Sequence, residues 1–158
     1  TEPPLFPPEG PPPGVRGTDQ FVFFRFWQNW GHQVERWAIN VPLDRGEWVP
    51  DIDPAYRALW ARLTQHKADF VFVRKGVLYV AELKPRLSRG AIGEALVAEQ
   101  MYRFVYKPTL PTRAAVIVLT AHPALLQMAA WNGVLVFVTD QIDTLPQNGI
   151  VTRRGERI

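Results

Sequence analysis

The chain of 158 residues contains no cysteine. Disulfide bonds, thiolate catalysis and cysteine-ligated zinc are therefore excluded. No apolar run approaches the ~20 residues of a membrane-spanning helix, and no basic segment followed by an apolar one marks a secretory leader. The sequence also lacks a Gly-rich phosphate loop, a Ser/His/Asp triad signature and histidines at metal-ligand spacing. We therefore expect a cytoplasmic protein without membrane contact.

Charge of either sign is modest as well. The formal net charge is +3 and only 21% of the residues are charged, while the isoelectric point is near 9.5. This slight basic excess favours an anionic partner such as DNA. Apolar residues, by contrast, make up 47% of the chain and include six tryptophans, which is ample for the core of one domain of this length.

The first 30 residues divide into two unlike parts. Residues 1–17 form a Pro/Gly-rich arm, whose composition favours extended conformations and suits either a flexible leader or a strap that docks on a partner. Thr18-Asp19 then begins a helix that is apolar on nearly every face from Phe21 to Trp30. A helix of this kind is buried or forms an interface, so residues 1–30 are a candidate contact for a homo-oligomer or another protein partner.

The rest of the pattern predicts an α/β fold with a mixed central sheet flanked by helices. Domain limits are placed at 18–140, with 141–158 as a C-terminal extension that ends in a basic tail. The predicted elements are a strand over 32–43, a helix over 54–66 capped by Asp53, a β-hairpin, a helix over 91–107, a buried strand over 113–121, a short helix from His122-Pro123 to Gly133, and a buried strand over 134–139.

Residues 68–84 carry the most informative pattern. Val, Phe and Tyr fill two strands, and Lys75-Gly76 between them is the only turn signal. With these two residues as the turn, Asp69 lies opposite Glu82, and Lys84 points to the same face as Glu82. Like charges placed opposite each other are destabilising. The pair therefore predicts a divalent cation between the two carboxylates, with the lysine beside it.

These residues resemble a known signature. Asp69 followed by Glu82-Leu83-Lys84 is similar to the active site of the PD-(D/E)XK nuclease superfamily, with Ala68 where the signature has proline. The segment over 91–103 is similar to the helix that follows this strand in DNA nucleases of the superfamily. The resemblance spans about residues 18–140 and implies a restriction-endonuclease-like core with the element order α-β-β-β-α-β.

The resemblance implies a metal-dependent hydrolase, an endo- or exonuclease that cleaves the phosphodiester bonds of DNA. Asp69, Glu82 and the main-chain carbonyl of Leu83 would hold Mg²⁺ or Mn²⁺, which would polarise the scissile phosphate. Lys84 would position the attacking water or neutralise charge that develops on the phosphate. Arg86 and Arg89, just after the site, are candidate DNA phosphate contacts.

A third acid is harder to assign. The superfamily often supplies one from its first helix, but no acid occurs between Phe21 and Trp30. Asp19 at the start of that helix and Glu35 on the following strand are the nearest candidates. Glu94 and Gln100, on the helix after the lysine strand, are further candidates for supporting the metal, the lysine or a phosphate.

Two alternatives stay open at this stage. The acids and lysines could form an ordinary salt-bridge cluster on a sheet edge, with Asp69 paired to Lys67 or Lys84. The chain could also be a non-catalytic protein built on a nuclease-like fold, such as an assembly component, a virion-associated component or a nucleic-acid-binding subunit. The apolar first helix and the Pro-rich arm favour this second alternative, because both could form oligomer contacts.

Overall fold

Four α-helices and six β-strands form the part of the chain that the computed structural model describes, which is residues 17–47, 53–142 and 149–151. The predicted Pro-rich arm up to residue 16 and Arg153, Arg154 and Arg157 of the predicted basic tail lie outside these residues. In chain order, the elements are α1 (Thr18–Trp30), a 3₁₀ turn (Gly31–Gln33), β1 (Val34–Pro42), α2 (Pro54–Thr64), β2 (Lys67–Arg74), β3 (Val77–Arg86), α3 (Arg89–Tyr106), β4 (Thr112–Ala121), α4 (Pro123–Trp131), β5 (Leu135–Ile142) and β6 (Gly149–Val151).

The six strands form a single mixed sheet in the order β1-β2-β3-β4-β5-β6. Pairing is antiparallel from β1 to β3, parallel between β3, β4 and β5, and antiparallel again between β5 and β6. α3 and α4 supply the two crossovers that parallel neighbours require. The predicted α/β class is therefore confirmed.

The strand β4 shows how the sheet separates two cores. Ala115 and Ile117 belong to the core under α1, whereas Val116 and Val118 face α3 and α4 on the other side. All four side chains are fully buried. This explains the continuous apolar run, because a strand covered on both faces has no need of alternating polar residues.

The helix α1 packs one face on the sheet. Val22, Phe23 and Phe26 are buried, and the Phe26 ring meets the rings of three residues from β2 and β5 at centroid distances of 5.1–5.6 Å. Phe21 and Phe24 on the same helix remain 53% and 43% exposed. The prediction that α1 packs in the core is confirmed for one face of the helix. Contact of the other face with a protein partner stays a prediction.

The helix α2 has a capped start. Asp53 Oδ1 accepts a hydrogen bond from the main-chain N–H of Ala55 at 2.9 Å, which confirms the predicted cap. None of the helix residues is buried, although Tyr56, Leu59, Trp60 and Leu63 are apolar. The helix ends at Thr64, two residues before the predicted end.

The C-terminal part of the sheet differs from the prediction. The last buried strand, β5, runs to Ile142, and β6 (Gly149–Val151) adds an antiparallel neighbour with Ile150 opposite Phe137. The predicted extension over 141–158 therefore contributes a strand to the sheet. Its short, Gly-containing sequence carries no alternating pattern, so only pairing with β5 defines it. Within the described residues, no helix has the length and apolarity needed to cross a membrane.

Candidate functional site

The hairpin of β2 and β3 has the predicted turn. Lys75 and Gly76 both have positive φ, 50° and 73°, which is the conformation of the two-residue turns that match the twist of paired strands. The strand pairing runs from Arg74 opposite Val77 to Phe70 opposite Ala81. The predicted alignment of the two strands is confirmed, and its next step brings Asp69 to Glu82.

Asp69 and Glu82 meet where the regular pairing of β2 with β3 ends. Asp69 Oδ2 accepts a hydrogen bond from the main-chain N–H of Leu83 at 2.9 Å, so a side chain replaces a strand partner there. The carboxyl groups of Asp69 and Glu82 share a hydrogen bond. Asp69 is partly exposed, and Glu82 is only 6% exposed. The predicted opposition of the two acids is present in the fold.

Glu82 does not behave as an ordinary carboxylate. Burial raises its pKa to about 9, assisted by the negative charge of Asp69, the hydrogen bond between the two acids and the charge of Glu94, while Lys84 acts in the opposite direction. Two carboxyl groups in contact cannot both ionise readily without a cation. At neutral pH the metal-free pair therefore holds one proton, and a divalent cation is the kind of ligand that displaces it.

Lys84 lies beside this pair and has a partner on α3. Its Nζ is 3.0 Å from Glu94 Oε2, and its side chain is 36% exposed. The hydrogen bond with Glu94 raises the pKa of Lys84, with further contributions from the charges of Glu82 and Asp69, although burial opposes the shift. Acids on α3, β3 and β2 thus favour the charged form of the lysine, which is the form that can stabilise negative charge on a phosphate.

Asp19 approaches the same cluster from the start of α1. Burial raises its pKa, and the negative charge of Asp69 adds to the effect, whereas the charge of Lys84 lowers it. These interactions place Asp19 within electrostatic reach of both residues. The first helix therefore does bring an acid toward the pair, from its first turn and not from its apolar stretch.

Glu35 and Gln100 are not brought to the cluster. Glu35 Oε1 accepts a hydrogen bond from the main-chain N–H of Gly76 at 3.3 Å, so it lies at the hairpin turn, at the opposite end of β2. Gln100 is exposed and lines a groove with Met101 and Phe104, further along α3 from Glu94. The expectation that Glu35 supports the site is therefore wrong, because its side chain lies at the hairpin turn. A supporting role for Gln100, six residues after Glu94 on α3, stays a prediction.

Arg86 and Arg89 lie on the segment that joins the lysine strand to α3. Arg86 is the last residue of β3 and Arg89 the first of α3, and both are exposed. Between them, Ser88 caps the helix, its Oγ accepting a hydrogen bond from the main-chain N–H of Ala91 at 3.0 Å. Contact between these two arginines and DNA phosphates stays a prediction.

The donor set fits a cation that retains most of its waters. Among the residues that the structure describes, no three His, Cys, Asp or Glu side chains converge as a metal cage. Mg²⁺ commonly uses only one or two protein carboxylates, completed by water and substrate phosphate. Asp69 and Glu82 supply those two. Because the Leu83 N–H faces Asp69, the Leu83 carbonyl also faces the β2 side, where it could be a third oxygen ligand.

The cluster is not on a sheet edge. β2 lies between β1 and β3, and β3 lies between β2 and β4. The lysine pairs with Glu94 on α3. A salt-bridge cluster on an edge strand therefore does not describe these residues, because both strands are interior and Glu82 is buried.

A cleft beside the acids contains residues that the sequence did not single out. Asp44 Oδ2 lies 2.6 Å from His66 Nδ1, and Asp44 Oδ1 accepts from the main-chain N–H groups of Gly46 and His66. His66 and Lys67 line a cleft of about 380 Å³ together with Glu82 and Glu94. Asp44 and His66 are 22 residues apart, so no local motif links them. The only sequence signal was a histidine and a lysine three and two residues before Asp69.

No protein-family model, no curated protein and no solved structure matches this chain. The functional assignment therefore depends on the geometry of the site.

Proposed function

We propose that the protein is a metal-dependent DNA nuclease of the PD-(D/E)XK type, with a site made of two carboxylates and a lysine. The observation that carries the proposal is the hydrogen-bonded pair of Asp69 and Glu82 across β2 and β3, with Lys84 beside it. Holding a buried acid in contact with a second acid costs free energy. A divalent cation bound between the two carboxylates would offset that cost, which is why the pair points to a metal site.

The order of elements supports the finer fold assignment. α1, β1, β2, β3, α3 and β4 follow one another as the α-β-β-β-α-β order of a restriction-endonuclease-like core requires, with α2 as an insertion. The acids and the lysine lie on β2 and β3, as the resemblance implies. α3 follows directly and contributes Glu94 to the lysine.

Each residue has a defined task under this proposal. Asp69, Glu82 and the Leu83 carbonyl hold Mg²⁺ or Mn²⁺, which supplies Lewis-acid polarisation of the phosphate and a more acidic water. Lys84 stabilises negative charge on the phosphate, and Glu94 keeps the lysine at the acid pair. Asp19 adds negative charge near the site. Arg86 and Arg89 contact the phosphates of the DNA strand.

The direct test is cleavage of supercoiled plasmid, linear duplex and single-stranded DNA by purified protein, with Mg²⁺ and with Mn²⁺. We expect metal-dependent hydrolysis that Asp69→Asn and Glu82→Gln each abolish. Glu35→Gln is the matched control, because that acid lies at the hairpin turn away from the pair. Absence of metal-dependent cleavage on all three substrates by folded wild-type protein would reject the nuclease proposal.

A non-catalytic assembly or virion component on the same fold is the second candidate. Its supporting observation is the outer face of α1, where Phe21 and Phe24 are about half-exposed. Arg25 lies over the Phe21 ring at 5.4 Å from its centroid, a contact that leaves part of the ring accessible to a partner. Stable self-association that Phe21→Ser and Phe24→Ser disrupt, combined with no cleavage, would favour this candidate.

A further inference from the structure

We infer that the cleft beside the acid pair is the track of a single nucleic-acid strand, and that His66 and Lys67 contact the phosphate next to the scissile one. The inference rests on the proposed function and deepens it by naming the substrate form as a single-stranded segment. It is carried by three features of the described residues: continuity with the acids, a basic wall and an apolar wall.

Continuity with the acids is direct. Glu82 and Glu94 line the cleft together with His66 and Lys67, and α3 supplies most of its other lining residues. Leu43 and Met101 border both this cleft and a second depression of about 840 Å³, which extends along α3 to Phe104 and Lys107. A strand whose phosphate lies at Glu82 therefore has a continuous path along the helix.

The basic wall offers two contacts for one phosphate. Lys67 is exposed at the start of β2, two residues before Asp69. The side chain of His66 is 73% exposed, and its Nδ1 faces Asp44 at 2.6 Å. Hydrogen bonds from His66 and Gly46 lower the pKa of Asp44 against the opposing effect of burial, so Asp44 is an acceptor and Nδ1 carries hydrogen. The Nε2 atom lies on the other side of the ring, where a hydrogen bond from a protonated ring to a phosphate oxygen would be charge-assisted.

The opposite wall suits the face of a base. Val97 is 56% exposed, and Met101 is partly exposed one helix turn further on, with Leu43 beneath them. Bases stack on apolar and aromatic side chains without regard to sequence, and the methionine thioether makes favourable contacts with aromatic rings. Phe104, which is 83% exposed, continues this surface along α3.

The apolar wall decides between one strand and two. Inside a double helix the bases stack on one another, so their faces are covered and cannot contact Val97 or Met101. A base on the apolar wall must therefore be unpaired, as in single-stranded DNA, a flap or a frayed end.

The experiment measures binding in the Lys84→Ala background, where cleavage is slow, with Mg²⁺ present. A fluorescent single-stranded oligonucleotide is compared with its own duplex by anisotropy, and a second arm uses RNA of the same sequence. We expect the single strand to bind at least tenfold more tightly than the duplex. His66→Gln and Lys67→Gln should each weaken that binding about tenfold, as expected for loss of one hydrogen bond to a charged group. Met101→Glu should also weaken it, by placing a negative charge on the apolar wall.

Matched controls are His32→Gln and Arg36→Gln, which alter exposed side chains at the hairpin end of the sheet. Asp44→Asn should weaken binding when His66 is present and have little further effect on His66→Gln, because Asp44 acts through that imidazole. Melting temperatures confirm that each variant is folded.

The outcomes separate the two proposals. Equal affinity for duplex and single strand, or His66 and Lys67 variants that match their controls, overturns the single-strand track while metal-dependent cleavage still supports the nuclease. If the cleft variants weaken single-strand binding but the wild-type protein shows no cleavage, the single-strand track is supported and the nuclease proposal is rejected. A stronger effect with RNA than with DNA identifies the sugar that the site prefers.

Discussion

The side chain of Asp69 accepts a hydrogen bond from the main-chain N–H of Leu83, 14 residues later in the chain, at 2.9 Å. The bond lies where the regular pairing of β2 with β3 ends. It holds one carboxylate oxygen of Asp69 against Leu83, the residue that follows Glu82. The carboxyl groups of Asp69 and Glu82 share a hydrogen bond beside it. The acid pair is built into the sheet, so changes at these two positions should alter stability and metal binding together.

Divalent cations should stabilise the protein, and Asp69→Ala should remove the effect. A ligand that binds only the folded state adds ~2.7 kcal/mol at a concentration one hundred times its dissociation constant. Melting temperature is measured with and without millimolar Mg²⁺ or Mn²⁺. Identical shifts in wild type and Asp69→Ala would contradict a metal site at this pair. Glu35→Ala is the matched control, because that acid lies at the hairpin turn and its loss should leave the metal-dependent shift intact.

Stability of the metal-free protein should fall as pH rises from about 4.5 to about 9. Unfolded Glu82 releases its proton near the ordinary pKa of 4.5, whereas the folded pair keeps it until about 9. In this window the folded state binds more protons than the unfolded state, so the free energy of unfolding decreases by up to ~1.4 kcal/mol per pH unit. Denaturant midpoints across this pH range should show the slope in wild type and a much flatter profile in Glu82→Gln. An equally steep profile in that variant would assign the slope to other groups.

Lys84→Ala should reduce cleavage far more than DNA binding. The charge of the lysine matters most in the transition state, and interactions made only there lower kcat and not affinity. The expected loss is on the order of 10²–10³-fold. Glu94→Gln should reduce cleavage less, because it removes only the partner that holds Lys84 in place. Single-turnover rates and DNA affinity are measured in parallel, and a Lys84→Ala variant that loses binding and cleavage equally would argue against this role.

Arg86→Ala and Arg89→Ala should weaken DNA binding and lower its dependence on salt. Each phosphate contact that is lost reduces the slope of log affinity against log salt concentration by about one unit. Affinity is measured over a series of salt concentrations, with Arg36→Ala as the control, since that exposed arginine lies on β1 near the hairpin turn. Unchanged slopes in both variants would remove these arginines from the DNA contact.

Phe26→Ala should destabilise the fold by about 3–5 kcal/mol, the usual cost of removing a buried aromatic side chain. Phe26 is fully buried and contacts the rings of Phe70, Phe72 and Phe137. Phe24→Ala on the same helix is the matched control, and it should cost much less because that side chain is 43% exposed. Urea denaturation measures both, and equal losses would mean that the outer face of α1 is covered in solution.

The sequence alone determined the hairpin and therefore the acid pair. Lys75-Gly76 is a strong turn signal between two strands of alternating or apolar residues, and a two-residue turn leaves only one alignment. That alignment places Asp69 opposite Glu82 and puts Lys84 on the same face of the sheet. The apolar run of β4, the cap at Asp53 and the turn at His122, whose Nδ1 accepts from the main-chain N–H of Ala124 at 3.1 Å, were likewise determined locally.

Only the tertiary structure decided which other residues reach the acids. Asp19 and Glu94 approach them because α1 and α3 pack on opposite faces of the sheet, whereas Glu35 is carried to the far end by the antiparallel pairing of β1 with β2. The pairing of Asp44 with His66 and the strand β6 depend in the same way on contacts between distant segments. The periodicity of a segment indicates which of its faces is buried. It does not indicate which other element covers that face, or at which point along the sheet the two elements are in contact.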